Sequence, residues 1–218
     1  RTQGPADPGT IQSLCALGVI AEARGDIAVA ESLVRRSLDV RRLMLPKGHP
    51  DVAESCAMLA RILLGQGKER VDEAATLAAE SCDTYRRVYG PTAMKTLGVM
   101  RVRASAASLL ARRTEAERLH QELVAKGEAL SGKDPRFLAA VLGDFGQSML
   151  EGGRPEKAVE LYRRAVAVLR KAPGNDERDV FTMRQRLAEA LYASGRVGDA
   201  VAEGRSVVAF FGRGDGEP

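Results

Sequence analysis

A single structural unit repeats along most of this 218-residue chain. Its clearest marker is an alanine that returns after steps of 44, 42, 42 and 42 residues, at Ala30, Ala74, Ala116, Ala158 and Ala200. A second series in the same phase marks predicted turns, at Gly25, Gly67, Ala111, Gly153 and Gly195. Such self-similarity is typical of stacked-repeat proteins, in which each unit buries its apolar face only against a neighbour.

Each repeat is predicted to be a pair of antiparallel helices. In residues 145–168, apolar and small side chains follow helical spacing on both sides of the turn Gly152-Gly153-Arg154. A third series, Leu17, Leu59, Phe145 and Leu187, predicts one interior position in each first helix. The alanine series and the turn series each contain one step of 44 residues, but at different places along the chain. This difference places a two-residue insertion in the turn around positions 68–71.

The repeat resembles the tetratricopeptide repeat. Seven positions match the residue types of that motif, namely Phe145, Gly146, Met149, Gly153, Ala158, Tyr162 and Ala165. The period of about 42 residues exceeds the usual ~34. This period and the inter-repeat sequences Gly48-His49-Pro50-Asp51 and Tyr89-Gly90-Pro91 resemble the longer repeats of kinesin light chains. The resemblance implies an all-α fold, a right-handed superhelical solenoid of about five antiparallel helix hairpins.

One solenoid domain is expected over residues 10–211, with repeats at about 10–50, 51–92, 93–135, 136–176 and 177–211. Residues 1–9 are predicted to be a disordered lead-in and residues 212–218 a flexible tail. The third repeat is expected to be the least regular, because Arg103 takes the position that Leu or Phe fills in the other four. Since the chain begins with Arg1, we interpret it as a piece of a longer protein.

The sequence contains no recognisable catalytic, cofactor or metal motif. His49 and His120 lie on different segments without neighbours at metal-ligand spacing, and the three cysteines form no CxxC pair. The net charge of +4 is spread along the chain, and no apolar run approaches the ~18 residues of a membrane span. We therefore predict a cytoplasmic protein that is not an enzyme, carries no cofactor, and binds neither nucleic acid nor membrane.

The remaining candidate for a functional site is a binding surface. In tetratricopeptide arrays the first helices line a concave groove, so the resemblance implies a mixed polar binding surface at Gln12, Glu22, Glu54, Arg61, Arg101, Ser105, Asp144, Gln147, Glu151, Gln185 and Glu189. Such a surface could hold an extended or helical peptide. Kinesin light chains grip peptides with groove asparagines, but this chain has Ala57 and Met58 there, and its single Asn175 lies in a predicted loop. Their mode of cargo binding is therefore not expected here.

We interpret the chain as a protein-interaction module of a larger, bacterial, cytoplasmic signalling or regulatory protein, with a protein or peptide as its partner. One alternative is a structural or self-association module that forms a homodimer through Phe210 and Phe211. Another is a peptide-sensing regulatory domain. Nucleic-acid binding through Arg35-Arg36 and Arg163-Arg164 is the least favoured alternative.

Overall fold

The computed structural model describes residues 8–130, 132–174 and 177–211, and these residues form ten α-helices and no strand. The predicted all-α fold of consecutive helix hairpins is confirmed. The chain divides into two compact units, residues 1–112 and residues 113–218, so the division falls inside the third predicted repeat. The predicted disordered lead-in, apart from its last two residues, and the predicted tail lie outside the described residues, as do the side chains of Phe210 and Phe211.

The first unit contains five helices. These are α1 (Pro8–Ala23), α2 (Ile27–Met44), α3 (Pro50–Leu64), α4 (Val71–Tyr89) and α5 (Met94–Leu109). Each helix packs on the next one along the chain. A 3-10 turn, Lys68–Arg70, precedes α4 and accommodates the extra residues of that repeat. Before α3, His49 Nδ1 accepts a hydrogen bond from the Asp51 amide at 3.1 Å, which gives His49 a capping role.

The second unit also contains five helices. These are α6 (Arg113–Leu130), α7 (Pro135–Glu151), α8 (Pro155–Lys171), α9 (Glu177–Ala193) and α10 (Val197–Phe211). Again each helix packs on the next. Pro135 and Pro155 stand in the first turns of α7 and α8, where proline needs no amide donor, and Asp134 caps α7 by accepting from the Phe137 amide at 3.0 Å.

The predicted turn series has a shared backbone conformation. Gly25, Gly67, Gly153 and Gly195 have φ between 72° and 114°, in the left-handed region that glycine adopts without strain. Ala111 takes the same turn with φ of 55°, and it is the one residue other than glycine with positive φ in the described part of the chain. The turn geometry is therefore retained even where the glycine is lost.

The repeat alanines and the predicted interior position of the first helices differ in how completely they are buried. All five repeat alanines are buried, as close packing of neighbouring helices requires. Leu59 and Leu187 are buried and Phe145 is partly buried, but Leu17 is half-exposed. The interior prediction is therefore wrong for Leu17. Its position becomes an interior one only when a preceding hairpin covers the first helix, and in the described residues α1 has none.

Arg103 is half-buried on α5 and lies close to Cys82 of α4. Burial raises the pKa of the Cys82 thiol, and the Arg103 guanidinium, which forms a hydrogen bond with it, partly offsets that rise. The arginine at this otherwise apolar repeat position therefore has a polar neighbour on the adjacent helix.

Candidate partner-binding surface

The first helix of a hairpin keeps one polar face in contact with solvent. In α7, eight of the 17 residues are buried. Asp144, Gln147 and Glu151 lie at i, i+3 and i+7, which places them on one side of the helix, and all three reach solvent. We call the predicted groove residues on α1, α3, α5, α7 and α9 the first-helix stripe. Each of its eleven side chains is partly or fully exposed.

Gln147 is the centre of a hydrogen-bond network in the second unit. Its Oε1 accepts from Tyr162 Oη and from Arg186 Nη1, both at 3.2 Å. Its Nε2 donates to Glu151 Oε1 at 2.9 Å. Burial raises the pKa of Tyr162, and the neighbouring Arg186 charge partly offsets the rise, so this hydroxyl stays protonated and can donate. The network joins α7 to both α8 and α9.

An ion pair connects the stripe between α1 and α3. Arg61 of α3 donates to Glu22 of α1, one hairpin earlier in the chain. The Glu22 side chain is 19% exposed and the Arg61 side chain 50% exposed, so the cation is the outer member of the pair. Two of the predicted stripe residues are thereby brought together.

Glu54 is placed between two cations. Arg41 Nη1 of α2 lies 3.3 Å from Glu54 Oε2, and it also donates to the Asp51 carbonyl at 2.7 Å and to Ser55 Oγ at 2.9 Å. On the outer side, Lys95 Nζ of α5 lies 3.9 Å from Glu54 Oε1. Glu54 is thus a half-exposed carboxylate in contact with a buried arginine and an exposed lysine.

Lys95 also packs against two aromatic rings at the end of α4. Its ammonium group lies 5.4 Å from the ring centroid of Tyr89 and 5.9 Å from that of Tyr85, within the range of cation–π attraction. Burial raises the pKa of the Tyr85 hydroxyl, and the Glu54 charge adds to the rise. Tyr85 is therefore neutral at physiological pH.

The remaining stripe residues are distributed over several helices. In the first unit, Gln12 is exposed on α1, and Arg101 and Ser105 are half-buried on α5. In the second unit, Asp144 is half-buried on α7, while Gln185 and Glu189 are exposed one turn apart on α9. Their participation in binding stays a prediction.

Sequence analysis did not identify Arg41, Lys95 and Arg186 as part of this surface. Arg41 follows the repeat alanine by eleven residues, a position taken by Tyr85 in α4 and Leu169 in α8. The presence of an arginine at a repeat position that is otherwise apolar could therefore have identified Arg41 from the sequence. Lys95 and Arg186 carried no comparable signal, because their contacts depend on how neighbouring helices pack.

The outer charges of the second helices are largely paired. Arg35 of α2 makes a two-pronged contact with Glu73 of α4 at 2.5 and 2.8 Å, and Arg164 of α8 pairs with Glu128 of α6. Both arginines belong to the pairs considered for nucleic-acid binding. Each of these two arginines thus has a carboxylate partner within the chain, while Arg36 and Arg163 of the same pairs are exposed.

Across the described ranges, no group of His, Cys, Asp or Glu side chains is arranged to hold a metal ion. Nor does any helix in this part of the chain have the length and apolar character needed to cross a membrane.

A family model for the tetratricopeptide repeat matches residues 10–51 and 52–92, which correspond to the hairpins α1–α2 and α3–α4. No curated protein sequence matches the chain significantly.

Solved structures extend the likeness to the whole fold. A kinesin light chain-like protein of Podosopora anserina with nearly identical TPR-like repeats superposes with a TM-score of 0.76 at 20% identity, covering 99% of this chain and all of that one. BtubC (BKLC) from P. vanneervenii gives 0.77 at 20% identity, covering 96% and 83%. A Rap protein complexed with competence and sporulation factor gives 0.75 at 12% identity, covering 90% of this chain and 52% of the Rap chain. Residues 10–92 therefore match the tetratricopeptide-repeat family, and the fold of the chain is that of tetratricopeptide-type helical repeats like those of the kinesin-light-chain-like structures.

Proposed function

We propose that this chain is a non-catalytic interaction module that binds a segment of a partner protein along its first-helix stripe. The proposal rests chiefly on α7, whose packing faces are buried while Asp144, Gln147 and Glu151 remain accessible along one side. A row of donors and acceptors at helical spacing suits the backbone and polar side chains of a peptide. The fold shared with a Rap protein complexed with competence and sporulation factor, and with a Rap regulator in complex with the Phr* peptide, supports a peptide as ligand.

We further propose that the module works in a larger, bacterial, cytoplasmic regulatory or signalling protein. The three cysteines are free thiols, all of them buried. Free thiols are typical of proteins in a reducing compartment, so this supports the cytoplasmic assignment.

A peptide selected from a random displayed library against the wild-type chain supplies a probe for the stripe. Replacing Arg61 and Arg101 together with alanine removes two stripe cations, and we expect the peptide to bind about tenfold more weakly, or ~1.4 kcal/mol. A matched control replaces Arg36 and Arg163, exposed arginines on the second helices α2 and α8, and should leave the affinity unchanged. Equal affinity for both double variants would argue against the stripe as the binding surface.

The second candidate function, peptide sensing, is favoured by the same similarity to a Rap protein in complex with a factor. A peptide sensor must have two conformations that bind the peptide with different affinity, so that binding shifts the population from one to the other. Small-angle scattering with and without the selected peptide separates the two functions, because a static docking module keeps its radius of gyration and a sensor changes it.

A further inference from the structure

Two cations of the first unit lie on the first-helix stripe or directly beside it. Arg61 of α3 donates to Glu22 of α1. Lys95 of α5 lies 3.9 Å from Glu54 of α3 and packs against two tyrosine rings of α4. Because these contacts hold both cations in place before any partner arrives, an anionic partner would not have to order them first.

The spacing of the two cations follows from the geometry of α3. Glu54, which contacts Lys95, lies seven residues before Arg61, so the two side chains are on the same side of the helix. At a rise of roughly 1.5 Å per residue, seven residues span about 10 Å along the helix axis. Two positive charges about 10 Å apart therefore follow the line of α3.

The surface between the two cations is apolar. Met58 lies on α3 between Glu54 and Arg61 and is half-buried. Val102 takes the same repeat position on α5, which contacts α3, and it is half-buried as well. Gly98 of α5 is exposed, and a Cβ added there would meet nothing within 4 Å. This surface therefore leaves room for an apolar side chain of a partner.

Helices α2 and α4 already join through charges at the same spacing. Arg35 and Arg42 lie seven residues apart on α2. Their carboxylate partners on α4, Glu73 and Glu80, also lie seven residues apart, and the contacts measure between 2.5 and 2.8 Å. Leu77, between the two glutamates, is buried. A helix with an acidic, apolar, acidic pattern is thus complementary to two cations seven residues apart.

We propose that the surface formed by Arg61, Lys95, Met58 and Val102, here called the two-cation site, binds an amphipathic helical segment of the partner with acidic side chains at i and i+7 and an apolar one at i+4. The inference rests on the proposed function, because it assigns the chemistry of the segment that the stripe binds. Acidic side chains are electrostatically complementary to the two cations.

Helical spacing fits the two-cation site better than extended spacing does. Residues i, i+4 and i+7 of a helix lie on one side, with the second and third about 6 and 10 Å beyond the first. These intervals match Lys95, Met58 and Arg61 in order. In an extended strand, side chains on one side recur about every 7 Å, so the third would lie about 13 Å along and pass Arg61.

Two designed alanine-based helical peptides test the proposal by fluorescence anisotropy. The matching peptide carries Glu at i, Leu at i+4 and Glu at i+7. The control peptide has the same composition, but its second Glu stands at i+5, which turns that side chain about 140° away from the first. We expect the matching peptide to bind at least about tenfold more tightly, and circular dichroism checks that both peptides are equally helical.

A pair of protein variants identifies the contact. Arg61→Gln/Lys95→Gln removes both cations and should lower the affinity for the matching peptide to that for the control peptide. Arg36→Gln/Lys47→Gln also removes one arginine and one lysine, from exposed positions outside the stripe, and should bind the matching peptide like the wild type. Circular dichroism checks that both variants fold.

Three results would overturn the inference. Equal affinity for the two peptides would contradict the spacing, and unchanged binding by Arg61→Gln/Lys95→Gln would contradict the site. Tighter binding of an extended, proline-containing peptide with the same acidic residues would indicate an extended segment instead of a helix. If the library-selected peptide still loses affinity in Arg61→Ala/Arg101→Ala, only this inference fails, whereas a selected peptide that is also insensitive overturns the proposed function.

Discussion

A side chain at Gly146, inside helix α7, is expected to lower the stability of the protein. A Cβ added there would be 2.9 Å from both Cε1 and Cζ of Tyr162, well inside the ordinary 3.4–4 Å contact range. The ring cannot move away easily, because it is fully buried in a cluster with Met149, Val159 and Leu187, and its hydroxyl is held by Gln147. The close approach of α7 and α8 therefore depends on the missing side chain.

The expected magnitude follows from two opposing effects. Overpacking a core by one carbon costs about 1–3 kcal/mol, whereas replacing glycine by alanine inside a helix stabilises it by roughly 0.5–1 kcal/mol. Gly204→Ala in α10 experiences the second effect alone, because a Cβ there has nothing within 4 Å. Gly146→Ala should therefore be about 1–3 kcal/mol less stable than Gly204→Ala.

Urea unfolding followed by far-ultraviolet circular dichroism measures this difference, provided that the slope with urea is the same in both variants. Equal midpoints for Gly146→Ala and Gly204→Ala would show that α7 and α8 separate without cost, and would refute the close-packing argument. Because Tyr162 also donates to Gln147, the Gly146 variant should disturb the stripe as well.

Three further predictions concern charge and burial. Glu54→Ala should destabilise the chain by only up to ~1 kcal/mol in urea unfolding, because the half-exposed carboxylate leaves Arg41 its bonds to the Asp51 carbonyl and Ser55 Oγ, whereas Arg41→Met should cost about 1–3 kcal/mol, because those two acceptors lose their donor. The hydrogen bond from Arg35 lowers the pKa of Glu73, so the stability from this pair is present above the unfolded pKa of ~4.3 and is lost as pH falls through the folded value. Glu73→Gln should then be up to ~1 kcal/mol less stable at neutral pH and equal to the wild type in acid. Burial raises the pKa of the Cys56 thiol to about 12, so a thiol reagent at neutral pH should label it only after unfolding.

The sequence predicts the fold well because the repeat is defined by local geometry. A left-handed turn favours glycine and a close helix contact favours alanine, so both appear at regular intervals. Ala111 shows that the interval is more informative than the residue type, since it adopts φ of 55° at a position where the other repeats have glycine. Leu17 shows the limit of this reasoning, because burial depends on a neighbour that periodicity alone does not supply.

The binding surface is less predictable because its contacts join helices that are distant in sequence. Gln147 could be assigned to the stripe by repeat position, but its bonds to Tyr162 and Arg186 depend on the packing of α7 against α8 and α9. Glu54 was likewise placed on the stripe, whereas the buried Arg41 behind it was not. Position within the repeat indicates which side chains face solvent, and only the packed structure shows which of them are paired.

On the first-helix stripe of the first unit, the order in which cations and carboxylates are exposed to solvent, here called the charge order, indicates the charge of the partner. Arg61 and Lys95 are more exposed than the carboxylates they contact, with Arg61 at 50% against Glu22 at 19%, and Lys95 at 57% against Glu54 at 39%, whereas the third cation, Arg41, is buried behind Glu54. An approaching acidic group can therefore contact the cation without displacing the carboxylate beneath. A basic group would first have to replace the resident cation, so an acidic segment is the better match.

This charge order predicts that peptide binding to the first-helix stripe depends on ionic strength. Exposed charge pairs are worth up to ~1 kcal/mol each and are screened as salt rises. Peptide binding at Arg61 and Lys95 should therefore weaken on addition of sodium chloride. A peptide affinity that is unchanged between low and high sodium chloride would argue against contact with these two cations.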